Sequence, residues 1–161
     1  MVWDVDGVMT DGRLWYGAQG EALKAFHALD GHGIRMLAAA GVPAAILSGR
    51  RSEAVTRRAA ELGIEHVLQG FDDKRAPWEA LLGRLGIPPE AAGYMGDEVL
   101  DLPVLTRSGF ACAPRQAPAF VRRHAHYVPD APAGHGAVRE VCEFVMQSQG
   151  TLEPALAAYL A

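Results

Sequence analysis

Carboxylates dominate the chemistry this chain can offer. Asp4 and Asp6 stand two residues apart in Asp4-Val5-Asp6-Gly7-Val8-Met9-Thr10-Asp11-Gly12, directly after the short apolar run Met1-Val2-Trp3. Further on, Ser48-Gly49-Arg50 follows Pro43–Leu47, Asp72-Asp73-Lys74 follows His66-Val67-Leu68, and Gly96-Asp97-Glu98-Val99-Leu100-Asp101 follows Ala92–Met95. Such a set suits phosphoryl transfer. Gathered carboxylates repel, and a hard dication such as Mg²⁺, which takes oxygen ligands from carboxylates, waters and phosphate, relieves the repulsion. With the cation and Lys74 offsetting charge, Asp4 can approach a phosphate and accept it as an aspartyl-phosphate. Asp6 can protonate the leaving oxygen and then activate water. Ser48 and nearby backbone N–H groups can hold phosphate oxygens. Positioning and charge compensation supply most of the catalysis in such reactions.

For these residues to meet, the runs before them must be neighbouring strands. Helical patterns lie between the runs, at roughly 30–40, 52–62, 76–86, 98–107, 117–123 and 136–149, and two more short runs, Gly109–Cys112 and Ala125–Val128, complete the series. Fully apolar strands alternating with helices predict an α/β fold, a three-layer Rossmann-like parallel sheet with helices on both faces. In such sheets ligands bind beyond the carboxyl ends of the strands, where the acidic and hydroxyl-bearing segments fall. One stretch breaks the rhythm. Arg13–Tyr16, then Gly17-Ala18-Gln19-Gly20, then Glu21–Phe26 reads as a β-hairpin over about 13–26, directly after the first strand. Its Leu14, Trp15 and Tyr16 form an apolar surface too large to leave in water. Neither Thr10–Pro43 nor Ser48–Lys74 has room for a cap domain. The Pro- and Gly-rich stretch 129–136 reads as a loop, so a single domain over 1–161 is expected, with a tail over about 150–161.

Composition narrows the partners. The chain has 161 residues, half of them hydrophobic and 21% charged, with a net charge of -4. That balance argues against a dedicated nucleic-acid binder. No apolar run approaches the roughly 18 residues of a membrane span, and no export signal is visible. Cys112 and Cys142 are too few for a disulfide framework or a metal cluster, and read as reduced thiols of a cytoplasmic protein. His27, His32, His66, His124, His126 and His135 lack metal-ligand spacing.

Asp-x-Asp-Gly-Val-x-Thr at 4–10, a strand ending in Ser48, then Lys74, then Gly-Asp-x-x-x-Asp at 96–101 resemble, in order, the motifs of the haloacid dehalogenase superfamily of phosphatases. The resemblance is closer to the branch acting on 3-deoxy-D-manno-octulosonate 8-phosphate. It is carried by Asp4–Gly12, Gly20-Glu21, Lys24–Phe26, Asp30–Ile34, Ser48–Ser52, Gln69-Gly70, Gly96–Pro103 and Gly136–Cys142. The resemblance implies Asp4 as nucleophile and metal ligand, and Asp6 as acid and base, giving its main-chain carbonyl to Mg²⁺. It implies Asp97 as a further metal ligand, Asp101 as a support for the metal site or for Lys74, and Ser48 and Lys74 on the transferring phosphoryl group. Substrate contacts are implied for Asp6, Lys74, Gly49, the segment with His27, Asp30 and Gly31, and Arg35, Arg50 and Arg58. The planar fork of arginine suits both the carboxylate and the phosphate of a sugar acid. A homotetramer built through the hairpin, a tail able to cover a neighbouring site, and a place in lipopolysaccharide precursor synthesis are implied as well. Glu98 stands where aspartate is more usual, Met9 where leucine is common, and only Met1-Val2-Trp3 precede Asp4, so the first strand is expected to be very short. Two alternatives stay open. Nonulosonate 9-phosphate phosphatases are similar, but tend to carry glutamate where Arg50 stands. A receiver-type phospho-accepting signalling module shares the sheet, acidic pocket, hydroxyl and lysine. Its acceptor aspartate follows the third strand, however, which here ends in Gln69-Gly70.

Overall fold

The computed structural model describes residues 1–160. The chain begins with β1 (Val2–Trp3), passes through an antiparallel hairpin, β2 (Trp15–Gly17) and β3 (Gly20–Leu23), and continues with β4 (Ala45–Ser48), β5 (His66–Gln69), β6 (Gly93–Met95) and β7 (Phe110–Cys112). β1 and β4–β7 form one parallel sheet in the order β5-β4-β1-β6-β7. The strands are mostly apolar, although β4 ends in Ser48 and β5 carries His66 and Gln69, and their side chains alternate between the two faces. Trp3, Ile46, Met95 and Cys112 enter one core, while Val2, Ala45, Leu47, Tyr94 and Ala111 enter the other. The first core is covered by α1 (Ala28–Ala39), α2 (Glu53–Leu62) and α6 (Ala137–Ser148), the second by α3 (Arg75–Leu85), α4 (Leu102–Leu105) and α5 (Ala119–Arg122). These are the three layers the apolar runs call for. Full burial of a large apolar side chain is worth about 1.5–3 kcal/mol, and Trp3, Trp78, Ile34, Leu37 and Leu47 are all buried. Only the helical turn Val5–Met9 and the hairpin lie between β1 and α1, and only α2 between β4 and β5, so no cap domain stands over the strand tips among the described residues. Among the described residues no helix is long and apolar enough to cross a membrane.

Several elements differ from the sequence expectation. Ala125–Val128 does not form a strand; only Tyr127 bridges to Cys112. The Ala111 N–H is taken by His126 Nδ1 at 2.8 Å instead of by a backbone carbonyl, and Pro129 follows at once, so the ladder stops. The hairpin is shorter than 13–26: its strands flank an Ala18-Gln19 turn, with a bulge between Trp15 and Tyr16. The helix expected over 98–107 starts later, because Glu98 and Asp101 form a reciprocal capping box on the turn Val99–Asp101, from which α4 continues. The tail carries a helix that periodicity did not reveal, α7 (Leu152–Ala157).

Candidate active site

In the sheet order, the chain moves from β1 to β4 on one side and later returns to β6 on the other. The loops above β1 and β6 therefore part, and open the crevice where ligands sit in such sheets. Asp4 extends β1, its N–H donating to the Met95 carbonyl at 3.0 Å. The chain then winds through a helical turn, Val5–Met9, closed by the Thr10 N–H on the Val5 carbonyl at 3.0 Å. Gly7 makes that turn possible. Its φ is +79°, and a Cβ there would lie 2.1 Å from Asp97 Oδ2. The β1 turn is thus pressed against the tip of β6. Asp4, Asp6, Ser48, Gly49, Arg50, Lys74 and Asp97 line a single cavity of about 290 Å³.

Charge organises this cavity. Lys74 Nζ lies 2.7 Å from Asp4 Oδ2 and 2.6 Å from Asp101 Oδ1. Asp101 is fully buried behind the pocket. Its Oδ1 also accepts from the Tyr94 hydroxyl at 2.5 Å, and its Oδ2 accepts from the backbone N–H groups of Asp97 and Glu98 at 2.9 and 3.0 Å. All its acceptor positions are in use, so it orients Lys74 and the Asp97 loop. Asp4 Oδ1 accepts from the Val5 N–H at 2.7 Å. The Asp97 carboxylate accepts no hydrogen bond among the described residues. Burial, then the Asp4 and Asp101 charges, push its pKa from 3.8 to about 8. Burial and the Asp101 charge likewise raise Asp4 to about 7, against the pull of Lys74. Burial opposes the charge on Lys74, but Asp4 and Asp101 outweigh it and hold its pKa above the ordinary lysine value. Burial and the Asp101 charge push the Tyr94 phenol well above 10. Oxygens of Asp4, Asp97 and Asp101 lie within 4.8 Å of one another. One lysine does not neutralise this cluster. A carboxylate left without a partner beside Asp4 is the donor set a hard dication such as Mg²⁺ fits, and Asp4 and Asp97 are the residues free to hold it.

Asp6 and Ser48 complete the rim. Lys24 of the hairpin donates to Asp6 Oδ1 at 2.5 Å, and Arg50 Nε lies 3.9 Å from Asp6 Oδ2. Arg50 also donates to the Tyr16 hydroxyl. Ser48 ends β4, and its Oγ accepts from the Arg50 N–H at 3.3 Å.

Comparison with known proteins agrees with this geometry, although no family model matches the chain. The 3-deoxy-D-manno-octulosonate 8-phosphate phosphatase KdsC of Yersinia pestis is 43% identical over 155 residues, which span 96% of this chain and 83% of that protein. A probable YrbI family phosphatase from Pseudomonas syringae superposes with a TM-score of 0.97 at 49% identity, over 99% of this chain and 91% of that one. The 3-deoxy-D-manno-octulosonate 8-phosphate phosphatase of Moraxella catarrhalis, crystallised in complex with magnesium ion, phosphate ion and KDO, superposes with a TM-score of 0.95 at 37% identity, over 98% of this chain and 91% of that one. The chain belongs to the 3-deoxy-D-manno-octulosonate 8-phosphate phosphatase family of the haloacid dehalogenase superfamily.

Not every residue the family resemblance singles out lies in the cavity of its own chain. Asp30 is buried and caps α6, accepting from the Arg139 N–H at 2.9 Å and the Gly136 N–H at 3.3 Å. His27 precedes α1, with its Nδ1 buried and unpartnered and its ring 6.0 Å from that of His135. Gly31 lies under Arg58, whose guanidinium fills the space a Cβ would need. Arg35 and Arg58 line a second cavity of about 560 Å³ on the α1–α2 flank, with Phe26, Gly31 and His32. These five residues do not line the acidic pocket, because α1 with its N-cap and α2, not strand tips, carry them. Conversely, Tyr94 joins the site's hydrogen bonds without any motif marking it, and Glu21, Lys24 and Ser52, which lie in stretches that carry the resemblance, join them with no role expected of them. A tyrosine within a buried strand needs a partner for its hydroxyl, and a lysine amid Ala22-Leu23 and Ala25-Phe26 needs one for its charge. Those were the available signals.

Proposed function

We propose that this chain is a Mg²⁺-dependent phosphomonoesterase that hydrolyses 3-deoxy-D-manno-octulosonate 8-phosphate to 3-deoxy-D-manno-octulosonate and phosphate. The observation that carries the reading is the convergence of Asp4, Asp97 and Asp101 around one buried lysine at the strand tips. Asp4, Asp97 and the main-chain carbonyl of Asp6 would hold Mg²⁺, which supplies charge neutralisation and orientation of the phosphate oxygens when bound. Lys74, Ser48 Oγ and the Gly49 N–H hold the phosphoryl group in line with Asp4. An Asp4 carboxylate oxygen attacks phosphorus, and the bond from phosphorus to the sugar oxygen breaks as Asp6 gives that oxygen its proton. The product stays on Asp4 as an aspartyl-phosphate. Asp6, now a carboxylate, takes a proton from water. The water oxygen attacks phosphorus, and the Asp4 carboxylate and inorganic phosphate are released. Asp101 takes no direct part; it keeps Lys74 charged and aimed.

Arg50, half-exposed at the mouth, is proposed to meet the sugar acid beyond its phosphate. Arg35 and Arg58 are proposed to meet the substrate held by a neighbouring chain, with His27, Asp30 and Gly31 shaping the segment beside them. In support of assembly, Leu14, Trp15 and Tyr16 on the hairpin are 45%, 49% and 60% exposed, and large apolar side chains left in water are of the kind that an interface covers. A homotetramer built through the hairpin is the proposed form. A place in cytoplasmic lipopolysaccharide precursor synthesis follows from the same substrate, and two buried free cysteines support a reducing compartment. The test is phosphate release from the eight-carbon and nine-carbon sugar-acid phosphates, with and without Mg²⁺. Mg²⁺-dependent release, fastest from the eight-carbon substrate, is expected. Faster turnover of the nine-carbon acid, or no release from either, refutes the reading.

A further inference from the structure

Lys24 leaves the end of a hairpin whose other large side chains face water, yet its own side chain is only 3% exposed. Its ammonium lies 2.5 Å from Asp6 Oδ1 and 3.1 Å from Glu21 Oε2. Glu21 is held in turn, its Oε1 accepting from Ser52 Oγ at 2.5 Å. Ser52 stands at the N-cap of α2, but its hydroxyl makes no capping bond. It turns to Glu21 instead, while the Ser52 N–H donates to Gln69 Oε1 at 2.8 Å. A hydroxyl at a helix start ordinarily serves the helix, so its diversion shows how firmly Glu21 is tied. Charge closes locally: Asp6 and Glu21 face Lys24 and Arg50. One oxygen of Asp6 is therefore anchored. The other, Oδ2, accepts no hydrogen bond among the described residues and belongs to a side chain lining the acidic cavity.

We infer that Lys24 is the positioning residue of Asp6, with Glu21 and Ser52 holding Lys24 in place. The inference rests on the reading of Asp6 as acid and base of a phosphomonoesterase. Lys24 touches no reacting atom. The Asp6 carboxylate can turn about two side-chain bonds, and an ammonium fixed to Oδ1 stops both rotations and aims Oδ2 at the leaving oxygen. The transferred proton passes from Asp6 to the sugar oxygen as the bond to phosphorus breaks, and Lys24 keeps all its own. Proton transfer of this kind demands hydrogen-bond geometry at the reacting oxygen, and small misplacements are costly.

The dependence on leaving group tests the inference. A sugar alkoxide needs a proton to depart and 4-nitrophenolate does not, and kcat/KM reports the steps up to that departure. In Lys24→Met, an uncharged side chain of similar length, kcat/KM for the sugar-acid phosphate is expected to fall by about 10- to 100-fold. For 4-nitrophenyl phosphate the expected fall is less than about threefold, since acid assistance matters little there. Glu21→Gln, which loosens Lys24 without touching Asp6, is expected to show the same asymmetry to a smaller degree, and it decides the matter if Lys24→Met does not fold. In an Asp6→Asn background, adding Lys24→Met is expected to cost nothing further with 4-nitrophenyl phosphate. Equal losses on both substrates, a further loss on top of Asp6→Asn, or unchanged rates would each overturn the inference. Wild type and Asp4→Asn are assayed alongside. A wild type that releases no phosphate, or an active Asp4→Asn, refutes the reading of the site itself and not the role of Lys24.

Discussion

Replacing Asp101 by asparagine tests the electrostatic frame most sharply, because shape is kept while one oxygen becomes an NH₂ group. The native carboxylate accepts from Lys74 and the Tyr94 hydroxyl on one oxygen, and from the Asp97 and Glu98 N–H groups on the other. An amide has one acceptor oxygen. Whichever way it is turned, its NH₂ faces a pair of donors, and two hydrogen bonds are lost. Hydrogen bonds to a charged group are worth about 1.5–3 kcal/mol each. One effect opposes the loss. The Asp101 charge helps to raise the pKa of both Asp4 and Asp97, so removing it relieves repulsion. Distance decides between the two. Lys74 Nζ is in direct contact with Asp101 Oδ1 at 2.6 Å, whereas the Asp4 and Asp97 carboxylates lie within 4.8 Å of Asp101 with no hydrogen bond between the carboxylates, and Coulomb energy falls as the inverse of separation. The lost attraction wins. A net destabilisation of about 3 kcal/mol is expected, at the low end of the roughly 3–5 kcal/mol for removing one partner of a buried pair. At about 2–4 °C per kcal/mol for a chain of this size, Tm should drop by roughly 6–12 °C. With a typical reserve of about 5–15 kcal/mol the protein still folds. Phosphate release should fall by about 100-fold, because Lys74 is no longer aimed. Thermal melts by circular dichroism, together with the phosphate assay, check both numbers. A Tm within about 2 °C of wild type, or near-normal turnover, refutes the argument that Asp101 orients Lys74.

Further outcomes follow from the same geometry. Asp4→Asn should abolish turnover while the circular dichroism spectrum is kept; retained activity rules Asp4 out as nucleophile. Gly7→Ala should weaken Mg²⁺ dependence, seen as a higher Mg²⁺ concentration for half-maximal rate, because a Cβ would collide with Asp97 and the left-handed backbone costs a further roughly 1–2 kcal/mol. In metal-free protein the folded state holds the Asp4 and Asp97 protons more tightly than the unfolded chain, with pKa values of about 7 and about 8 against 3.8. The contribution of this pair to stability therefore falls as pH rises from about 4 to about 8 and is level above that. Mg²⁺ binds the deprotonated pair, so it should raise Tm more at pH 8 than at pH 5; equal increments contradict the assignment. Trp15→Glu should lower the mass found by sedimentation if the hairpin is the assembly surface, and an unchanged mass removes the hairpin from that role.

How legible the molecule was depends on the kind of information each residue carries. The sheet could be read because buried parallel strands are short, mostly apolar and followed by polar turns, so β4 with the Ser48-Gly49-Arg50 turn and β6 with the acids after it stand out. The acid cluster could be read because residues at strand tips converge by topology alone. Asp4, Ser48, Lys74 and Asp97 needed no knowledge of any side-chain path. Helix-borne residues gave no such guarantee. Arg35 and Arg58 lie on helical patterns whose direction the sequence leaves open, and they face the α1–α2 flank. Asp30 shows the same limit. Nothing local marks it as the cap of α6, more than 100 residues away in the chain. The strand expected at Ala125–Val128 failed for a side-chain reason, the His126 imidazole taking the Ala111 N–H, which no apolar pattern records.

That division also locates substrate choice. The acidic cavity, at about 290 Å³, sits at the bottom of the range of roughly 300–1,000 Å³ usual for small-molecule sites. Its carboxylates, Lys74 and Ser48 suit a phosphoryl group and a metal, while Leu14, Leu100 and Arg50 also line it and can meet the rest of a substrate. Discrimination between sugar acids therefore falls to Leu14, Leu100 and Arg50 at the edge of the acid cluster. Arg50 is bound through Tyr16 to the hairpin, the same hairpin whose Lys24 reaches down to Asp6. One short element thus touches the reacting end, the recognising end and the exposed apolar face. A substitution that shifts the hairpin, such as one filling the bulge between Trp15 and Tyr16, should alter kcat and substrate preference together. Changes in the rigid acid cluster should alter kcat alone.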